Sequence, residues 1–196
     1  ALWDWCAEHG VPFLYASSAA TYGDGERGFE DDASPEALAR LQPLNLYGWS
    51  KHATDRRIVQ MLELGQPAPP QWAGLKFFNV FGPNEYHKGP MMSVLARRFD
   101  DIKAGRVVQL FKSHREGIAD GDQRRDFIYV DDVVRVMMWL LASPSVSGLF
   151  NVGSGRARSF LDLARALFAA VGEPERIEFV DMPERLRGQY QSYTEA

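Results

Sequence analysis

Apolar and polar positions alternate along this chain in blocks. Short, nearly continuous apolar runs (VPFLYAS at 11–17, AGLKFFNVF at 73–81, VVQLF, DFIYV, LFNV and IEFV) have the length and the Val, Ile and Phe content of buried strands. Between them lie longer stretches of helical period: residues 46–64 up to Gly65, 91–103, VDDVVRVMMWLLAS with Asp131 or Asp132 at its start, and a segment ending at Gly172. Ser159 with Asp162 forms the capping-box signature for that last helix, and Gly172 is placed to close it. ALWDWCAEHG reads as the end of a helix stopped by Gly10. Residues 23–43 are rich in Gly, Asp, Glu and Pro and predict a long surface loop, while Lys112–Gln123 predicts a polar, mobile one. Strands alternating with helices argue for an α/β fold with a parallel sheet covered on both faces. The strands at 11–17, 74–80, 126–130 and 149–152 are expected in one sheet.

Composition adds limits. At 196 residues and 45% hydrophobic, the chain suits a globular protein of one domain or slightly more. A net charge of −4 speaks against a nucleic-acid or anionic-membrane surface. The single cysteine, Cys6, excludes an internal disulfide and fits a reducing, cytoplasmic setting. No apolar run is long enough to span a bilayer, and the acidic opening is unlike a signal peptide. His87 has no ligand partners at useful spacing, so no metal is expected.

In open α/β sheets, ligands gather at the carboxyl ends of the strands. Ser17-Ser18 and Asn79 fall at two such ends. Between them in sequence, PLNLYGWSK sets Tyr47 and Lys51 four residues apart, on one face of a helix. A phenol is a poor base at neutral pH, and an ammonium one turn away favours its phenolate. A serine hydroxyl opposite can hold a substrate oxygen. That set suits hydride transfer accompanied by proton transfer. Alone, the pair reads equally well as a solvated helix pair; ASSAATYG before it and FNVFGP after it tip the balance.

The ordered series ASSAATYG, YGWSK, FNVFGP, RRDFIYVDDVV and FNVGSG resembles the extended short-chain dehydrogenase/reductase family, whose NAD-dependent epimerases and dehydratases act on nucleotide sugars. FLYASSAATYG, NEYHKGPM, GLFNVGSGRARSF and RLRGQYQSYT extend the resemblance to members that epimerise an ADP-linked heptose, a lipopolysaccharide inner-core precursor. The resemblance implies Ser18, Tyr47 and Lys88 as catalytic groups, with Lys88 the second acid/base. It implies Lys51 and Val80 as contacts to an NADP (or NAD) cofactor. Substrate contacts follow at Asn79, Pro90 (where a small polar residue is usual), Arg97 (where a histidine is common), Phe111 against the ADP, Arg125 at the diphosphate and Tyr190. It further implies a homo-oligomer, a homopentamer in this family, and a Rossmann-like sheet whose N-terminal glycine-rich βαβ part is missing, since no G-x-G-x-x-G follows the first strand. Residues 1–82 and 126–155 would belong to the dinucleotide-binding domain, and 83–125 and 156–196 to a substrate lobe. Ala19-Ala20 stand where a 4,6-dehydratase needs Asp-Glu, which argues against elimination chemistry. A UDP-sugar 4-epimerase and a non-catalytic nucleotide-binding fragment are the competing readings.

Overall fold

The computed structural model describes residues 1–188 and 190–196, without the side chain of Pro90. In chain order the elements begin α1 (Leu2–His9), β1 (Phe13–Ser18), α2 (Pro35–Arg40), α3 (Leu46–Glu63), β2 (Trp72–Phe77), β3 (Asn79–Phe81), α4 (Val94–Lys103) and β4 (Val108–Phe111). There follow β5 (Arg124–Tyr129), α5 (Val130–Leu141), β6 (Gly148–Val152), β7 (Ala157–Ser159), α6 (Phe160–Val171), β8 (Ile177–Val180) and α7 (Glu184–Arg187). Single 3-10 segments occupy Ala19–Tyr22 and Tyr86–Met91. None of the described helices is long and apolar enough to cross a membrane. The chain clusters into two compact units, residues 1–78 with 131–152 and 196, and residues 79–130 with 153–195.

In the first unit, β1, β2 and β6 form a parallel sheet in that order, with Ser18 opposite Phe77 and Leu75 opposite Phe150. β2 runs down its middle with four consecutive buried residues, as a strand covered on both faces must. β1 pairs on one side only among the described residues, which is why Ala16 is exposed where the apolar run predicted full burial. Trp3, Ile58 and Met61 pack with Phe13 and Trp72, while Leu38 and Val59 meet Leu149. The expected loop at 23–43 contains helix α2, capped by the Ser34 hydroxyl on the Ala37 N–H, with Pro35 in its first turn and Leu38 buried.

In the second unit, β5 pairs parallel with β3 and antiparallel with β7, and β4 pairs parallel with β8. Ile102, Val108, Leu110, Ala164 and Phe168 form its core. The strand expected at 126–130 therefore does not join β1, β2 and β6. The run expected at 74–80 also changes partner at Phe78: its N–H still reaches the Val152 carbonyl, but Asn79 pairs with Phe127. α4 starts at Val94, not Met91, because Ser93 caps it through the Ala96 N–H. The capping box at Ser159 and Asp162 and the left-handed Gly172 (φ 79°) are as the sequence predicts. The loop expected to be mobile is tied internally, with Asp120 accepting the Ser113 N–H and the Gln123 amide donating to the Phe111 and Lys112 carbonyls.

Candidate active site

α3 carries the first group of expected residues. Asn45 caps it on the Gly48 N–H at 2.9 Å. Gly48 lets the helix lie close on the segment after β1: a Cβ there would sit 2.7 Å from the Ala20 carbonyl oxygen and 2.9 Å from the Pro43 Cβ. One face of α3 then presents Tyr47, Lys51 and Asp55, each four residues from the last. The Lys51 ammonium donates to the Ala16 carbonyl at 2.9 Å and lies 5.8 Å from the centre of the Tyr47 ring. Tyr47 itself is 57% exposed. Ser18, at the end of β1, accepts the Ala20 N–H at 3.2 Å, which leaves its hydroxyl hydrogen able to donate. The strand bearing Ser18 and the helix bearing Tyr47 are thus fixed to each other.

Asp55 does much of that fixing, and sequence reasoning missed it. It is fully buried and accepts the Tyr15 hydroxyl at 2.9 Å and the Ser17 hydroxyl at 2.7 Å. Burial pushes its carboxyl up, opposed by the Ser17 bond, Lys76, Tyr15 and Lys51. Lys76, buried in β2, is pushed down by burial and opposed by Asp55 and Asp31; its ammonium lies 4.2 Å from the Tyr22 ring centre. A lysine inside the apolar run LKFF was the available signal, since a buried cation requires partners. Beside it, His52 lines a groove of about 410 Å³ with Trp49 and Arg56, and no expected site residue lines that groove.

The second unit holds the rest. Arg97, Phe111 and Tyr190 line one cavity of about 230 Å³ together with Arg98 and Phe160. The Tyr190 and Phe111 rings meet edge to face at 6.4 Å. Arg125 is buried, its guanidinium 4.8 Å from the Tyr190 ring centre and 5.7 Å from that of Phe160, with Nη1 donating to the Arg124 carbonyl. Burial pushes the guanidinium down, with Tyr190 opposing, and pushes the Tyr190 hydroxyl up. A buried guanidinium between two aromatic rings, beside a cavity, is suited to an anionic ligand. Asn79 is exposed and Val80 half-buried on β3. Lys88 is exposed on the 3-10 segment and none of these three lines the cavity. The contact expected of the Pro90 side chain lies outside the described residues. Among those residues no three His, Cys, Asp or Glu side chains converge as a metal site.

A helix-borne Tyr–Lys pair docked on the serine-bearing end of a parallel strand marks the class. The chain belongs to the NAD dependent epimerase/dehydratase family, whose model matches residues 1–153. Particular relatives sharpen this. The chain is similar to the ADP-L-glycero-D-manno-heptose-6-epimerase of Fusobacterium nucleatum, 48% identical over 201 residues that cover all of this chain and 59% of that protein. The enzyme of the same name from Nitratidesulfovibrio vulgaris is 52% identical over 97% of this chain and 57% of its own length. Among solved structures, the Helicobacter pylori ADP-L-glycero-D-manno-heptose-6-epimerase matches with a TM-score of 0.71 at 26% identity, over 91% of this chain and 51% of that one. The Thermus thermophilus UDP-glucose 4-epimerase, solved with NAD, matches at 0.66 and 26% identity, over 96% and 61%. The chain spans just under three fifths of the two curated relatives' lengths, 59% and 57%.

Proposed function

We propose that the chain is part of an enzyme that inverts C6 of ADP-D-glycero-D-manno-heptose to give the L-glycero epimer, by oxidation to a ketone and re-reduction with NADP. The observation that carries the reading is the Lys51 ammonium held between the Ala16 carbonyl and the Tyr47 ring, at the strand end bearing Ser18. The choice of sugar is supported by the relatives' names. A nicotinamide dinucleotide, when bound, takes and returns the hydride. Lys51 uses one of its three donors on Ala16, so two remain for a ribose diol, and the residue fits that end of the cofactor. Val80 is the nicotinamide contact in this reading.

Ser18 orients the substrate alcohol through its hydroxyl. Tyr47, in the field of Lys51, takes that alcohol's proton as the C6 carbinol is oxidised. Inversion requires the ketone to be reduced on its opposite face, and one tyrosine cannot serve both. Lys88 is the second acid/base, protonating the oxygen of the shared ketone as hydride returns to its opposite face, which gives the alcohol of the other epimer. Arg125 pairs with the diphosphate as a desolvated guanidinium, Phe111 packs on the adenosine, and Arg97, Asn79, Pro90 and Tyr190 complete the substrate contacts.

The test is a paired assay on both epimers, using the chain completed to its relatives' length. Lys88→Met removes the acid and keeps most of the stem; Tyr47→Phe removes the other. Each should slow epimerisation about 10²–10⁴-fold. Wild-type rates in both directions for Lys88→Met would refute the two-base reading and favour a 4-epimerase.

A further inference from the structure

We propose that Glu85 is the positioning residue for Lys88, a buried carboxylate that fixes the Gly82–Ser93 loop and holds the ammonium at its rim. The proposal rests on the reading of Lys88 as the second acid/base. Glu85 is 5% exposed in a loop that is otherwise largely open. One carboxylate oxygen accepts the Gly82 N–H at 3.1 Å and the Ser93 hydroxyl at 2.8 Å. The other accepts the Ser93 N–H at 2.8 Å and stands 3.5 Å from the Lys88 ammonium. The Glu85 carbonyl also takes the Lys88 N–H at 2.9 Å. A carboxylate has about four acceptor positions, and here every one is occupied.

Three of those four donors come from the loop's own ends, Gly82 and Ser93. The carboxylate is therefore located without help from the lysine. Lys88 makes the fourth and longest contact, and its side chain is 44% exposed. It is tethered on one side, with donors left for a substrate oxygen. Burial alone would raise the Glu85 carboxyl, but the Ser93 N–H and hydroxyl, the Gly82 N–H and Lys88 outweigh it and hold it below the usual carboxylate range. The charge facing Lys88 is thus permanent at working pH. The backbone needs such a clamp. Asn84 stands at φ 65° and Gly89, directly after Lys88, at φ 52°, so the lysine sits between two sharp turns. Gly82 lies so close to Val130 that a Cβ would come within 2.4 Å of its Cγ1, which pins the loop's first end.

A clamp that merely stabilised the loop would act independently of Lys88. A double-mutant cycle separates the two roles. In the completed enzyme, Glu85→Gln, Lys88→Met and the pair are assayed for kcat and KM on both epimers. Glu85→Gln should lower kcat about 10–100-fold, as misplacing a reacting group does, with KM changed less than about 3-fold. It should cost nothing further beside Lys88→Met. Losses that multiply, or a wild-type kcat for Glu85→Gln, overturn the proposal. If Glu85→Gln does not fold, Glu85→Asp keeps the charge and withdraws it by one methylene. A kcat loss that vanishes beside Lys88→Met supports the role, and one that persists refutes it. Lys88→Met at wild-type rate instead removes the two-base reading itself, and this proposal with it.

Discussion

Replacing Asp55 with alanine tests what joins α3 to β1. The carboxylate is fully buried and receives two hydroxyls, from Tyr15 at 2.9 Å and Ser17 at 2.7 Å. Hydrogen bonds to a charged group contribute about 1.5–3 kcal/mol each. Removing one member of a buried charge set costs about 3–5 kcal/mol, because the remaining charge (here the Lys76 ammonium) loses part of its compensation and keeps only Asp31 and the Tyr22 ring. These terms count partly the same contacts, so the expected loss is about 3–5 kcal/mol rather than their sum. In a chain of 196 residues that corresponds to a fall in Tm of roughly 6–20 °C. Urea unfolding followed by tryptophan fluorescence reads it directly, since Trp3 and Trp72 lie in the same unit's core. The midpoint should fall with the slope unchanged. Adding Lys76→Met to Asp55→Ala should restore part of the loss by removing the undercompensated cation. A loss under about 1 kcal/mol, or no recovery in the pair, would show that Asp55 and Lys76 are not coupled as argued.

Two further outcomes follow. Burial, with help from Arg56 and Lys76, lowers the His52 pKa from 6.5 to about 4, so the unfolded chain takes up its proton first as pH falls. His52 therefore costs no stability above about pH 6.5 and lowers it progressively as pH falls towards 4, by on the order of 1–2 kcal/mol after screening. A His52→Gln chain should show a flatter urea midpoint over that window; an identical slope would refute the assignment. Gly48→Ala should destabilise by about 1–3 kcal/mol despite alanine's better helix propensity, since its Cβ would collide with the Ala20 carbonyl. A raised Tm for that variant would mean the helix can shift freely.

What the sequence made legible was local. Gly10 and Gly172, both left-handed in the structure, could be placed from their position after an apolar periodic run. The Tyr47–Lys51 spacing needed only helical geometry. Strand partners are a non-local choice, and there the reading failed. Nothing in DFIYV distinguishes pairing with β3 from pairing with β2. The signal for α2 was present in Ser34-Pro35-Glu36, a cap, a first-turn proline and an acid, but it was submerged in loop-like composition. Asp55 and Glu85 were invisible for a different reason. A carboxylate on a charged helix or in a polar loop reads as solvated, and only the fold reveals that donors surround it.

Those two carboxylates do related work in separate units. A lysine side chain has about 2 kcal/mol of rotamer entropy, so an ammonium serves chemistry only where something holds it. In the first unit Asp55 ties α3 to β1, and that docking puts the Ala16 carbonyl 2.9 Å from Lys51. A neutral carbonyl orients the charge without cancelling it, so its field still acts on the Tyr47 ring 5.8 Å away. In the second unit the partner of Lys88 is an anion, Glu85, at 3.5 Å. An anion holds the lysine in place by charge as well as by hydrogen bonding. In the proposed reading, the first arrangement is that of a cation beside the tyrosine it assists, and the second is that of an ammonium tethered on one side with donors left for a substrate oxygen. In that reading, the difference between a carbonyl and a carboxylate as tether is what separates the tasks of two lysines in one chain.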